Sequence, residues 1–359
     1  MPQLDNLPDA QQLVKVLNIG FSKAGKTHWT MQAAEQGFRL IFLDGDRSLA
    51  TLNALSPEAK KRVFYVDCHD TAGRARFATI VNNMFTSPVF TWNDTKQQQV
   101  APSQQPEVGD TIWEIRLDQV DSRDILVIDT WTSLSYSWLS DAAGGAINLT
   151  NEKIDRGVYA ASGNRATWAL NLLCSVLKCH VVVNGHPDEF QKLRNPEGKL
   201  KNQTETDKIV EWTRSIPASV SKPHGSRMAK HFTDVLNHRI TAGRDRKIDS
   251  RSFDDEDGGG VWNDFEAASK RTFSDLAKAR GVTLPGKDAP FSNAITVYEW
   301  TEERASGGVK GPVKQVATPV TGGTVKVAMP TVIPGSKADG EVNPVKPKMP
   351  VGIAALMKK

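Results

Sequence analysis

The sequence has no long hydrophobic run and no cysteine framework. None of its apolar stretches approaches the ~18 residues that a membrane-spanning helix needs. The first residues, MPQLDNLPDAQQ, are acidic and polar, so we expect no secretion signal. Three scattered cysteines, Cys68, Cys174 and Cys179, predict ordinary packing rather than disulfides or a metal site. We therefore expect a cytoplasmic protein without a membrane partner.

Most of the chain lacks an excess of basic charge. The residues from Ala305 to Lys359 carry eight lysines against Asp339 and Glu341, a net +6. The rest of the chain therefore carries −2 of the overall +4. If the folded part binds a nucleic acid, the binding must come from local basic patches.

Apolar runs that end in glycine or aspartate alternate with helical patterns. This alternation predicts an α/β fold with a twisted, mostly parallel sheet flanked by helices. The predicted strands and helices are LVKVLNIG (13–20), a helix over 27–37, FRLIFLDGD (38–46), RVFYVDCHD (62–70), DILVIDTWTSL (124–134), a helix over 166–178 and CHVVVNGH (179–186).

Four further segments complete the predicted organisation. Residues 1–12 are an N-terminal segment and 13–253 the core, interrupted at 85–123 by an inserted hairpin with a mobile tip. Polar residues 187–225 predict a long mobile loop or pair of loops. Residues 254–303 predict a small α/β extension with an amphipathic helix. Residues 304–359 lack aromatics and predict a disordered basic tail, with a possible docking peptide at 350–359.

The stretch GFSKAGKT has the spacing of a phosphate-binding loop and lies between a predicted strand and a helix. In such loops the backbone N–H groups surround phosphates, the lysine contacts the β- and γ-phosphates, and the Thr hydroxyl is a Mg²⁺ ligand. The predicted nucleotide-binding residues are Gly20, Phe21, Ser22, Lys23, Ala24, Gly25, Lys26, Thr27 and His28.

Carboxylates follow two of the other strands. Asp129 ends ILVID, where a Mg²⁺ ligand usually lies in phosphate-loop proteins. No acid follows Asp129 directly, so the base that activates water must come from elsewhere. Asp44 and Asp46, in FLDGD, are the two candidates. Each of these three aspartates has an alternative role as a cap of the following segment.

The ordered set of phosphate loop, FLDGDRSL, ILVIDTWTSL and VVVNGH resembles the RecA-like ATPase core over roughly residues 12 to 250. More narrowly it resembles the Sak-type phage recombinases, remote relatives of RecA, as does the stretch from Pro223 to Leu236. The resemblance implies ATP and Mg²⁺ as ligands. It makes Asp46 the match to the catalytic glutamate and Asp44 its neighbour on the strand. Since aspartate is shorter than glutamate, slow turnover is one expected consequence.

The resemblance also implies roles for residues further along the chain. His186 matches the position that senses the γ-phosphate. A cation from a neighbouring subunit would complete each site, and Arg246 or Lys247 is the candidate, with a solvated basic turn as the alternative. DNA would contact two loops, about 141–165 and 187–222. The candidate DNA-binding residues are Lys192, Arg194, Lys199 and Lys201.

These features predict an ATPase of phage type that acts in DNA recombination or replication. We expect it to form a ring or filament on single-stranded DNA, with the tail free to bind a single-strand binding protein or a similar partner. One alternative is a DNA motor, helicase or loader of the same fold. Another is a nucleotide-dependent switch that recruits a partner through its tail and hydrolyses little ATP.

Overall fold

The computed structural model describes residues 13–71, 74–101, 103–144, 155–194, 209–240, 246–249, 272–287 and 293–305. The predictions for the N-terminal segment, the basic tail beyond residue 305, and Lys199 and Lys201 lie outside these ranges. No helix among the described residues is long and apolar enough to cross a membrane.

Strands are numbered along the chain. The central sheet consists of β1 (Lys15–Gly20), β2 (Arg39–Asp44), β3 (Val63–Asp67), β7 (Asp124–Asp129), β8 (His180–Gly185), β11 (Asp234–Ile240) and β12 (Arg246–Asp249). Their order is β12-β11-β1-β8-β7-β2-β3. All neighbours are parallel except β11 and β12. The strand before the phosphate loop is thus separated from the Asp129 strand by β8.

Helices cover both faces of this sheet, and every residue of β1, β2, β7 and β8 is buried. The helices are α1 (Lys26–Met31), α2 (Pro57–Lys60), α3 (Arg76–Thr86), α4 (Trp131–Ala142), α5 (Arg156–Asn171), α6 (Lys222–Met228), α7 (Phe273–Ala279) and α8 (Glu302–Ala305). Strands buried on both faces read as continuous apolar runs, which is why they were predictable. The predicted α/β fold is confirmed.

Each face of the sheet has its own apolar core. One core includes Trp131, Trp138 and Phe77. The other joins Trp29 and Phe38 to Phe273, which belongs to α7. Large aromatic side chains therefore fix α1, α4 and α7 against the strands that end at the site.

The helix before β8 begins earlier than predicted. The prediction placed it over 166–178, but α5 starts at Arg156 and passes into a π-helical turn at Leu172–Val176. Its first half contains Gly157, Gly163 and small polar residues, which are weak helix formers in sequence. Tertiary packing overrides that preference, because Ser162 and Ala166 are buried.

The predicted insertion is part of a second, antiparallel sheet. It contains β4 (Phe90–Asn93), β5 (Gln98–Gln99) and β6 (Thr111–Ile115). The last strand of the chain, β13 (Ile295–Glu299), pairs with β6, and the order is β13-β6-β4-β5. A strand from the predicted C-terminal extension thus completes the insertion, a long-range pairing that local patterns do not reveal.

The prediction of a long mobile loop over 187–225 is wrong in most of the described part. Residues 187–194 and 209–217 form a two-stranded antiparallel ribbon, β9 (Pro187–Arg194) and β10 (Ile209–Pro217), and α6 follows. The polar composition concealed these strands, since a ribbon outside the main sheet needs no continuous apolar run.

Candidate nucleotide site

The carboxyl ends of β1, β8, β7 and β2 bring the predicted site residues to one edge of the sheet. Asp44 and Asp129 are register partners on β2 and β7. Asp129 in turn lies opposite Asn184 on β8. Ligand sites of open parallel sheets form at this edge, outside the strand ends.

The loop between β1 and α1 has the backbone of an anion-binding nest. Lys23 and Gly25 both have positive φ, 64° and 101°. Alternation of this kind turns successive N–H groups toward one concavity. At the start of the loop, a Cβ on Gly20 would lie 2.6 Å from the carbonyl oxygen of His238, so only glycine fits there. Lys23 and Phe21 are exposed at the rim.

Lys26 is buried and folds back on the loop. Its Nζ donates to the carbonyl oxygens of Gly20 at 2.5 Å and Phe21 at 3.0 Å. Burial lowers the pKa of Lys26, and the carboxylates of Asp129 and Asp46 oppose this shift. The ammonium group is thus held beside the loop by backbone carbonyls rather than by a salt bridge among the described residues.

Thr27 connects the loop to the Asp129 strand. Its Oγ1 donates to Oδ2 of Asp129 at 2.7 Å. The Ser48 hydroxyl lies 3.2 Å from the same carboxylate oxygen. Burial and the nearby Asp44 and Asp46 charges together raise the pKa of Asp129 to about 6, and the hydrogen bond from Thr27 opposes this shift. Asp129 is followed by a cis peptide bond to Thr130.

Asp44 and Asp46 have different surroundings. Asp44 is fully buried and accepts hydrogen bonds from Tyr65 Oη at 2.7 Å, the Asp46 N–H at 2.8 Å, and both the N–H and hydroxyl of Ser48. Burial raises the pKa of Asp44. Its acceptor positions are occupied by groups that shape the 44–48 turn, which favours a structural role.

Asp46 faces His186 instead, the residue predicted to sense the γ-phosphate. One carboxylate oxygen accepts a hydrogen bond from the Ser133 hydroxyl, and the other lies 3.2 Å from Nε2 of His186. Burial would raise the pKa of Asp46, but the hydrogen bonds from His186 and Ser133 lower it overall. The His186 N–H donates to Thr132 Oγ1 at 3.0 Å, so α4 fixes both partners.

A row of polar side chains beneath the loop was not predicted. Asn18 Nδ2 donates to Asn184 Oδ1 at 2.9 Å, and Nε2 of His238 lies 3.2 Å from Asn18 Oδ1. All three are buried, and burial lowers the pKa of His238 to about 3. The signal in the sequence was Asn18 and Asn184, each within a mostly apolar strand.

The residues at this edge fit a nucleotide-bound Mg²⁺ ion. Mg²⁺ in such sites takes one or two protein oxygens and completes its shell with phosphates and water. The Thr27 hydroxyl and the Asp129 carboxylate supply that donor set. Within the described part of the chain the buried amide nitrogen of Asn184 has no hydrogen-bond partner; as a donor it suits a phosphate or water oxygen rather than the metal itself. Within the described ranges no three acidic, His or Cys side chains form a metal cage of their own.

The remaining predicted residues belong to α1, β9 and β12. His28 is half-buried in α1. Lys192 and Arg194 occupy positions of β9, the strand that follows His186 directly. Arg246 and Lys247 begin β12 at the edge of the central sheet, and Arg246 is exposed.

Comparison with known proteins adds little to what the structure shows. No protein-family model and no curated protein matches the chain. Among solved structures, 23 chains match. One of them is described as the crystal structure of the RadB recombinase; it is 15% identical, covers 68% of this chain and 84% of that chain, and superposes with a TM-score of 0.35. A likeness this distant supports no functional statement, and the fold assignment therefore rests on strand order and loop geometry.

Proposed function

We propose that this chain is a DNA-dependent ATPase of the RecA-like type that acts in recombination, similar to the Sak-type phage proteins. The hydrogen bond from Thr27 to Asp129 carries the proposal. It joins a phosphate-binding loop to a buried strand-end carboxylate, the arrangement by which phosphate-loop proteins hold Mg²⁺ and a nucleoside triphosphate.

Lys26 and the loop N–H groups would bind the phosphates of ATP. To bind the phosphates, Lys26 would exchange its bonds to the Gly20 and Phe21 carbonyls for bonds to phosphate oxygens. Thr27 and Asp129 would hold a Mg²⁺ ion, which would supply positive charge beside the phosphates. The half-buried Thr27 keeps its hydroxyl beside Asp129 through their hydrogen bond.

Asp46 is the better of the two candidate bases. Its lowered pKa keeps it ionised near neutral pH, and it is not saturated by backbone donors as Asp44 is. Asp46 would accept a proton as water oxygen bonds to the γ-phosphorus and the bond to the β–γ bridging oxygen breaks. ADP and phosphate are the products.

His186 would connect this chemistry to DNA. Its imidazole contacts Asp46, and its carbonyl oxygen accepts from the Ala218 N–H at 2.8 Å, where β10 ends. The start of β9 and the end of β10, which pair at one end of the ribbon, are therefore both held beside His186. Lys192 and Arg194 on β9, with Lys199 and Lys201 beyond it, are the proposed phosphate-backbone contacts.

The proposal includes a homo-oligomer on single-stranded DNA and a partner for the basic tail, as the resemblance implies. Its test is ATP hydrolysis by the full-length protein, with and without single-stranded DNA. We expect hydrolysis that DNA stimulates, and annealing of complementary strands without unwinding. ATP binding with no hydrolysis under either condition would instead identify a nucleotide switch. Unwinding of a forked duplex would identify a motor.

A further inference from the structure

The side chain of Arg246 lies against the phosphate loop of its own chain. A Cβ built on Gly25 would be 3.0 Å from Arg246 Cδ, 3.5 Å from Nε and 3.8 Å from Nη1. The guanidinium therefore runs along the α-carbon of Gly25, immediately before Lys26. The family resemblance had suggested Arg246 or Lys247 as the cation that completes the site of a neighbouring subunit.

The strand register holds Arg246 in this position. Arg246 pairs with Ile240, and β11 pairs in parallel with β1, which leads into the loop. Two residues further on, Ile248 is buried in the core that contains Trp29. Because alternate residues of a strand share a face, Ile248 anchors the face from which Arg246 extends.

The charge of Arg246 is available to an anion. Arg246 is exposed, and no carboxylate of the described residues forms a salt bridge with it. Lys26, in the phosphate loop itself, is a second cation here, but backbone carbonyls hold its ammonium group. A guanidinium binds phosphate oxygens through several N–H groups in a fixed plane, which a lysine does not offer.

We propose that Arg246 binds the phosphates of the nucleotide held by its own chain, as a cation in cis. This inference rests on the proposed function, since it assumes that the loop binds ATP. The contact that the resemblance placed across a subunit interface is then made within the protomer. The strand β12 forms one wall of the nucleotide site.

Three substitutions of Arg246 in the full-length protein distinguish a role of its charge from a role of its packing. ATP affinity is measured with a fluorescent ATP analogue and by competition with ATP. Arg246→Ala and Arg246→Met should both weaken binding roughly ten- to hundredfold, the scale of a charge-assisted hydrogen bond. Arg246→Lys should bind with an affinity between those of wild type and Arg246→Ala, because it keeps the charge but not the planar set of donors. Arg74→Ala, at an exposed arginine that follows β3, is the control. Full affinity in Arg246→Met would show that the side chain only packs on Gly25 and would overturn the proposal.

The cis assignment is tested by protein concentration. Affinities of wild type and Arg246→Ala are compared at a concentration where light scattering reports a monomer, and again where the chain associates. A cis contact gives the same loss in both. A loss confined to the associated state would place the cation in a neighbouring subunit and contradict the inference.

Failure of this inference is distinguishable from failure of the proposed function. A wild-type chain that binds no ATP overturns both. If wild type binds ATP, Lys26→Ala does not, and Arg246→Ala binds as wild type does, only the role of Arg246 is wrong.

Discussion

Nε2 of His186 lies 3.2 Å from Oδ2 of Asp46, although the two residues are 140 positions apart in sequence. The contact joins the end of β8 to the turn after β2. It places the imidazole of His186 beside the carboxylate that would activate water. In the proposed function, ATP hydrolysis is linked to the β9–β10 ribbon through this pair.

Replacing Asp46 should separate binding from hydrolysis. Asp46→Asn removes the proton acceptor but keeps the size of the side chain, so ATP hydrolysis should fall about 10²- to 10⁴-fold with little change in ATP affinity. The measurement is steady-state phosphate release alongside nucleotide binding. Asp44→Asn is the matched comparison; because it disrupts several buried hydrogen bonds, we expect it to lower the unfolding temperature. A stable, inactive Asp44→Asn beside an active Asp46→Asn would reverse the assignment.

Replacing Lys26 should abolish nucleotide binding. Lys26→Ala removes the ammonium group that would contact the β- and γ-phosphates. Lys23→Ala should have a far smaller effect, because the exposed Lys23 contributes to the loop chiefly through its backbone. Binding of a fluorescent nucleotide by each variant is the measurement. Retained ATP affinity in Lys26→Ala would disprove the phosphate-loop assignment.

Replacing His186 should uncouple DNA from ATP hydrolysis. His186→Ala removes the contact with Asp46 but leaves the backbone bonds that anchor the ribbon. We expect ATP to bind with near wild-type affinity, basal hydrolysis to fall, and stimulation by DNA to disappear. His186→Gln, which keeps a hydrogen-bonding group at this position, should restore part of the stimulation. Full stimulation in His186→Ala would exclude a sensor role.

The pKa of Asp129, about 6, predicts a pH dependence of metal binding. Below about pH 6 protons compete with Mg²⁺ for the carboxylate, so the apparent affinity for Mg²⁺ in the presence of ATP should fall. Mg²⁺ titrations at about pH 5 and pH 7.5 measure this. Equal affinities at both pH values would mean that Asp129 is not the ligand.

The same pKa has a consequence for stability. Because it lies above the value of an unfolded Asp, about 3.9, the native state holds the extra proton between these values, and the group's contribution to stability falls as pH rises toward 6. Asp129→Asn lacks this ionisation, so its gain in unfolding temperature over wild type should be larger at about pH 7.5 than at pH 5. A gain that is the same at both would contradict the shifted pKa.

Neutralising the four predicted DNA-binding cations should weaken DNA binding and flatten its salt dependence. Each lost phosphate contact with single-stranded DNA removes about 0.7 from the slope of log affinity against log salt. Glutamine at Lys192, Arg194, Lys199 and Lys201 should thus lower the slope by up to about 3. Lys278→Gln with Lys287→Gln, at exposed positions after β12, is the control. An unchanged slope would assign the contacts elsewhere, with the tail as the next candidate.

The sequence predicted those parts of the structure that local patterns encode. Buried strands of the parallel sheet read as apolar runs, and the residues at their ends, Gly20, Asp44 and Asp129, marked the edge at which the candidate site lies. The choice between Asp44 and Asp46 was not predictable, because it depends on Tyr65 and Ser48 on one side and on His186 on the other. These partners meet only in the folded protein.

Polar strands and long-range contacts were also missed. The ribbon residues lack a continuous apolar pattern, and the contact between Arg246 and Gly25 joins segments more than two hundred residues apart. A family resemblance suggested Arg246 as a candidate cation for a neighbouring subunit's site. The register of β12 and the contact with Gly25 instead support the proposed role within its own chain.

The pairing of β13 with the inserted strands has a consequence for how the chain is made. Tyr298 donates to Glu114 across 184 positions of sequence, so the second sheet lacks its edge strand until nearly the whole folded part has been synthesised. The nucleotide-site strands β1, β2, β7 and β8 all precede it. During translation the edge of β6 is therefore exposed to other pairings, and residues 295–299 act as the closing segment that protects it.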